Sequence, residues 1–253
     1  MKPFSDTHMD EISKNIAKII LSEVYPKTCI NFSLIRVGRN NDGGYVMVDD
    51  FKETDCLISY GIGGDVSFEK DLQNKIKLSH LYDHTIQNLP DNVKNSIFYK
   101  EEINSTKIDK TCDIEKSLKK LPDEKDFILK CDIEGSEWDI LESCNEEDLS
   151  KFRQIVIEFH HFIQSNNSDV LDKYLNVLKK INKTHQSINV HGNNCGPWSF
   201  KKMDLPNVLE ITYLRKTDYE FKNFDKELTE KYNMPNCPKK PEMIFLKSEY
   251  LIK

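Results

Sequence analysis

Leu57-Ile58-Ser59-Tyr60-Gly61-Ile62-Gly63-Gly64-Asp65 and Phe127-Ile128-Leu129-Lys130-Cys131-Asp132-Ile133-Glu134-Gly135 are the two stretches that decide the fold. Each is an apolar run that releases into small residues and carboxylates. That is the pattern of a short buried strand opening through a tight turn into a helix. In open α/β sheets, ligands bind in the crevice outside the carboxyl ends of such strands. Two ends of this type predict a nucleotide-like ligand held over a parallel sheet.

Outward from these runs, β and α patterns alternate. Leu57–Tyr60, Lys77–Tyr82, Ser96–Tyr99, Phe127–Cys131 and Gln154–Phe159 read as strands, and Phe68–Ile76, Ile114–Leu121, Trp138–Ser143 and Val170–Ile181 as helices. The alternation implies βαβ units and a parallel sheet. Ser187–His191 and Val208–Leu214 lack a helical pattern between them, which predicts antiparallel neighbours. Upstream, Met9, Ile12, Ile16, Ile19 and Ile20 share one face of a helix capped by Asp6 and Thr7 and stopped by Pro26. Asp42-Gly43-Gly44, between β-prone runs, marks a hairpin turn or a loop that reaches the ligand. Residues 1–30 are thus expected to form a helical appendage and 31–215 the ligand-binding domain. Residues 216–253 form a tail with Pro235, Pro238 and Pro241, and Met243–Leu246 is expected as a last short strand.

The chain has 253 residues, 31% charged and 38% hydrophobic, with a formal net charge of -6. No basic block stands out, so a nucleic-acid partner lacks electrostatic support. No apolar run approaches the ~20 residues that span a bilayer, and Met1–Asp10 does not read as a signal peptide. The seven cysteines are scattered without a C-x-x-C pair, which argues against a structural zinc site and for reduced, buried thiols in a cytoplasmic protein.

The glycine pair Gly61 and Gly63 lets backbone approach a ligand, but Val66 stands where a dinucleotide fingerprint needs its third glycine. A ligand whose charged end is an amino acid therefore fits better than one with a pyrophosphate. Asp83 follows Gly61 by about 20 residues, the spacing of an acid that bonds ribose hydroxyls. Asp132, Glu134 and Glu137 bunch at the end of one strand. Buried carboxylates are expensive there unless paired or used, although helix-start acids that favour the macrodipole account for Glu137. On the next strand, alternation places Glu158 and His160 on one side and Phe159 and His161 on the other. His191, Asn193 and Asn194 form a third polar cluster. His160, His191, Asp132 and Glu158 are the candidate bases, and convergence of Asp132 with Glu158 would suit a divalent metal.

The runs Asp42-Gly43-Gly44-Tyr45, Ser59 to Asp65 and Lys130-Cys131-Asp132-Ile133-Glu134-Gly135-Ser136-Glu137 resemble the FkbM-type S-adenosylmethionine-dependent methyltransferases. Ile157-Glu158-Phe159-His160 and His191-Gly192-Asn193-Asn194 are similar to that family's later motifs. The resemblance implies a Rossmann-like, mostly parallel seven-stranded sheet with a C-terminal antiparallel hairpin. It also implies S-adenosyl-L-methionine as cofactor. Methyl transfer is then expected to a hydroxyl of a sugar, a surface-glycan (capsule) precursor or a related small molecule. Another oxygen, such as that of a phosphoramidate group, and a nicotinamide-dependent oxidoreductase on the same topology are the alternatives. Tyr60, Gly61, Gly63, Asp65, Asp83, Asp132 and Glu134 are the expected cofactor-binding residues. Tyr45, Asn193 and Asn194 are expected on the acceptor side. The sequence assigns neither the acceptor's identity nor an oligomeric state.

Overall fold

The computed structural model describes residues 6–52, 54–105, 111–121, 126–200 and 205–246. In chain order, α1 (Asp6–Val24) leads to β1 (Thr28–Cys29), the hairpin β2 (Leu34–Val37) and β3 (Tyr45–Val48), then β4 (Cys56–Tyr60) and α2 (Ser67–Leu72). β5 (Leu78–Tyr82), β6 (Ser96–Tyr99), β7 (Glu102–Ile103), β8 (Thr111–Cys112) and α3 (Ile114–Leu118) follow. β9 (Phe127–Cys131), α4 (Glu137–Ser143), α5 (Glu146–Ser150), β10 (Phe152–Phe159) and α6 (Ser168–Thr184) complete the alternating part. β11 (His185–Gly192), β12 (Leu209–Arg215), β13 (Phe221–Lys222) and α7 (Lys226–Glu230) are the last elements among the described residues.

Seven strands form one sheet in the order β11-β12-β10-β9-β4-β5-β6. β4 pairs in parallel with both β5 and β9, and β9 with β10. β12 alone runs antiparallel, between β10 and β11. The order reverses at β4, between β5 and β9, so the ends of β4 and β9 open the crevice where ligands sit on such sheets.

Period-two alternation sends the strands' apolar residues to two cores. Leu57, Ile128 and Val156 pack with Phe68 and Leu72 of α2 and with Val37, Tyr45 and Met47 of the β2–β3 hairpin. Ile58, Leu129, Ile155 and Ile157 face the other side, against Trp138, Ile140 and Leu141 of α4 and Tyr174, Val177, Leu178 and Ile181 of α6. Ile16, Ala17, Ile20, Leu21 and Val24 of α1 belong to that same core. The N-terminal helix thus packs its apolar face into the domain's main core. α6 starts at the Asn167 side chain, which accepts from the Asp169 and Val170 main-chain N–H groups.

Differences from the sequence reading are local. The expected helix to Ile76 stops at Leu72, and the Lys75 and Ile76 N–H groups both turn back to the Leu72 carbonyl. Met243–Leu246 forms no strand; Phe245 is buried by side-chain packing instead. The tail contributes β13, which pairs with β1, and α7. Pro122, the expected stop after α3, lies outside the described residues. None of the seven cysteines is in a disulfide, and five of them are buried. Among the described residues no helix is long and apolar enough to cross a membrane.

Candidate active site

A cavity of about 700 Å³ opens at the carboxyl ends of β4, β5 and β9. Its walls include the Gly61–Asp65 turn, Asp83 to Thr85, Glu101 to Ile103, Asp132 and Glu134. The turn is built by Gly61, whose φ is +77°. A Cβ there would lie 1.6 Å from the Asp132 carbonyl oxygen, so only glycine lets the two strand ends approach this closely. Buried Lys130 donates to the Gly61 carbonyl at 2.6 Å and ties the turn to β9.

Asp83 is 7% exposed and holds the turn from the other side. Its Oδ2 accepts from the Ile62 and Gly63 N–H groups at 2.9 and 2.7 Å. Its Oδ1 accepts from the Thr85 N–H and hydroxyl, both at 2.6 Å. Burial pushes this carboxyl up, but the hydrogen bonds outweigh it and hold the group below its ordinary pKa. Asp65 pairs with Arg39 at 2.9 Å and accepts from the Ser67 N–H and hydroxyl. The chain's own carboxylate thus lies beside the first N–H of α2, whose N-cap Val66 offers no side-chain bond.

Beside Asp132 the acids converge. Tyr45 Oη donates to Asp132 Oδ2 at 3.0 Å. Asn193 Nδ2 donates to Glu158 Oε1 at 2.6 Å. One oxygen each from Asp132 and Glu158 and a ring nitrogen of His160 lie within 4.8 Å of one another. His160 is oriented by Glu137, which has no exposed surface. Glu137 Oε1 accepts the main-chain N–H and Nδ1–H of His160 at 2.6 and 3.0 Å, and its Oε2 accepts the Gly135 N–H at 2.8 Å. A buried carboxylate without partners would cost several kcal/mol, and these three donors offset that. Burial lowers the His160 pKa, but the hydrogen bond and charge of Glu137 overcome it, so the ring stands above its ordinary value. Nε2 faces outward, 3.5 Å from Glu134, whose side chain is 87% exposed. Glu134 and His161 both hold positive φ, and a Cβ on Gly135 would come within 2.7 Å of the His161 ring.

Other expected site residues lie elsewhere. Tyr60 is fully buried with its hydroxyl on Ser117 Oγ at 2.6 Å; its side chain does not line the cavity. Asn194 uses both ends of its amide to fix the tail, donating to the Cys237, Lys240 and Pro241 carbonyls and accepting from the Cys237 N–H. His191 is locked between Glu210 (2.9 Å) and Glu242 (3.2 Å). Burial lowers its pKa, but the two carboxylates raise it to about 9, so it is a charged strut rather than a neutral base at pH 7. It borders a second cavity of about 300 Å³, not the one beside Asp83.

A sequence model of the methyltransferase FkbM domain matches residues 31–196. The chain belongs to the FkbM methyltransferase family. It is an S-adenosylmethionine-dependent methyltransferase, and the nicotinamide alternative is set aside. No curated protein matches this FkbM chain. Similar solved structures include a protein assigned as a methyltransferase from Streptococcus mutans in complex with SAH (11% identity, 65% of this chain, 88% of that chain, TM-score 0.36). The 23S rRNA methyltransferase ErmE (10%, 81% and 69%, 0.39) and a fibrillarin pre-rRNA processing protein from Methanococcus jannaschii (8%, 75% and 87%, 0.40) are others. The strand order, rather than these superpositions, carries the fold assignment.

The cavity of this FkbM domain fits the cofactor. A Cβ on Gly63 or Gly64 would meet nothing within 4 Å, so the turn presents bare backbone to open space. Three participants were missed in the sequence. Glu137 was assigned to a helix start, yet it orients His160. Lys130 is a buried cation in an apolar strand. Glu210 sits across from both Glu158 and His191 on β12. For Lys130 and Glu210 a charge inside an apolar run was the available signal, since lysine and glutamate are almost never fully buried unpaired.

Proposed function

We propose that this FkbM domain methylates a hydroxyl of a sugar, a surface-glycan (capsule) precursor or a related small molecule. The observation that carries this reading is the convergence of Asp132, Glu158 and His160 beside the cavity. Carboxylates and an imidazole accept hydroxyl hydrogen bonds and protons. The same group, with Asp42 and Glu210 near Glu158, repels polyanions, so a nucleic-acid acceptor has no electrostatic support. An anionic acceptor such as a phosphoramidate is the weaker fit for the same reason.

Bound S-adenosylmethionine supplies an activated methyl group. The chain's residues supply position and proton transfer. The Gly61–Asp65 backbone and Arg39 are assigned to the methionine end, and Asp83 with Thr85 to the ribose. Asp132 joins the two halves of the site, since it lines the cavity and meets Glu158 and His160. The acceptor hydroxyl docks on this group and gives up its proton there.

The test is transfer of isotopically labelled methyl to a panel of free sugars, nucleotide sugars, capsule oligosaccharides, phosphoramidates and ribosomal RNA. Label in an O-methyl ether of a sugar is the expected outcome. Label confined to RNA or to the phosphoramidate would replace this acceptor class.

A further inference from the structure

We propose that Asp132, Glu158 and His160 form a binding site for one divalent transition-metal ion. Their three donor atoms lie within 4.8 Å of one another, a little over twice a metal–ligand bond of about 2.1 Å. Small side-chain rotations therefore close the group around an ion.

The hydrogen bonds behind the three donors supply an independent argument. Proteins orient metal ligands by bonding each one from behind, a carboxylate on the far nitrogen of a histidine above all. Here Glu137 holds His160 Nδ1 at 3.0 Å and leaves Nε2 as the donor atom. Tyr45 holds Asp132 Oδ2 at 3.0 Å, and Asn193 holds Glu158 Oε1 at 2.6 Å. Each candidate ligand is thus aimed by a different element of the fold: α4, β3 and the loop after β11.

Charge gives a third reason. Glu158 is 4% exposed, and Glu210 lies opposite it in register on the antiparallel neighbour. Asn193 is its one hydrogen-bond donor, and it has no ion pair, among the described residues. Glu210 is already paired with His191, so a dication at this point would balance Glu158, the carboxylate left without an ion pair among the described residues. One imidazole with two carboxylates and no thiolate suits Mn²⁺, Fe²⁺, Co²⁺ or Zn²⁺ better than Mg²⁺ or Ca²⁺, which take oxygen ligands. Such an ion would bind the acceptor hydroxyl and lower its pKa in place of direct proton transfer to its three ligands, the proton passing to exposed Glu134 and then to solvent. That use rests on the proposed O-methylation; binding of the ion does not.

A second group, Asp42, Glu158 and Glu210, also gathers within 4.8 Å. It lacks a nitrogen donor, which lets experiment separate the two. The chain is stripped with chelator, dialysed and titrated with Mn²⁺ by electron paramagnetic resonance, with no acceptor present. We expect one ion per chain, nitrogen coupling in the pulsed spectrum, and a rise in melting temperature with Mn²⁺. His160→Gln and Asp132→Asn should weaken uptake at least tenfold, and Asp42→Asn should leave it unchanged. A cooperative thermal melt with native-like circular dichroism reports that each variant is folded, and the nitrogen coupling is read on the unaltered chain. No uptake at millimolar Mn²⁺ or Co²⁺, or uptake without nitrogen coupling, overturns the proposal. So does loss of uptake in Asp42→Asn with retention in His160→Gln. Because no acceptor is used, failure here is distinct from failure of the O-methylation reading.

Discussion

Glu137 Oε1 accepts two hydrogen bonds from a single residue, His160: one from its main-chain N–H and one from Nδ1. The pair fixes the end of β10 and the tautomer of the ring together. Glu137→Gln keeps the shape but removes the charge. We expect methyl transfer to fall roughly 10–100-fold, the usual effect of losing an orienting carboxylate behind a functional histidine. Affinity for S-adenosylhomocysteine should stay within about twofold, because Glu137 does not line the cavity beside Asp83. Single-turnover rates and calorimetry on the variant decide it. Equal loss of both would make Glu137 a purely structural residue.

Asp83 holds the glycine turn with two hydrogen bonds, takes two more from Thr85, and also lines the cavity of about 700 Å³. Asp83→Ala should therefore reduce cofactor affinity by about 1.5–3 kcal/mol, the range for charge-assisted hydrogen bonds. It should lower the melting temperature of the ligand-free chain as well. A group with a depressed folded pKa contributes stability above its unfolded value of 3.8 and loses it as pH falls. The variant should therefore be less sensitive to acid between pH 5 and 3, within about that window. An unchanged melting temperature with weakened binding would restrict Asp83 to ligand contact.

The sheet was legible because each strand carries a local signature, an apolar run closed by glycine or acid. Convergence of Asp132 with Glu158 and His160 followed from their places at adjacent strand ends. Tyr60, His191 and Asn194 were not legible in the same way. Strand alternation tells which residues share a face but not which face meets the ligand, and Tyr60 fell on the core side with Ser117. The roles of His191 and Asn194 depend on Glu242 and the Cys237–Pro241 carbonyls. Those lie more than 40 positions away in a tail whose path no periodicity announces. Glu137 was hidden by a local rule, the preference of acids for helix starts, that holds equally well for a solvated residue.

Gly61 and Gly63 separate two kinds of glycine requirement. Both have positive φ, +77° and +56°. A methyl at Gly61 would strike the Asp132 carbonyl, while one at Gly63 would meet nothing within 4 Å. Gly63→Ala should cost only backbone strain, of order 1–2 kcal/mol. Gly61→Ala must also push β4 and β9 apart at the cavity. We expect a melting temperature several degrees below that of Gly63→Ala, at about 2–4 °C per kcal/mol for this chain length. Equal shifts in the two variants would mean that the turn can relax away from Asp132.

His191 makes stability fall with rising pH. Its folded pKa is raised from 6.5 to about 9, since Glu210 and Glu242 outweigh the effect of burial. A raised folded pKa means that the contribution is fully present below the unfolded value of 6.5. It declines above that and is lost as pH passes about 9. At 1.36 kcal/mol per unit the amount is roughly 3 kcal/mol. This chain's melting temperature should accordingly drop by several degrees between pH 6.5 and 9.5, as about 2–4 °C per kcal/mol implies. His191→Gln should be less stable at the acid end of that range and show a flatter slope. Glu242→Gln, which keeps the Glu210 contact, should fall between the two. Thermal melts across the range test it, and parallel pH profiles for the three proteins would show that the His191 charge does not stabilise the fold.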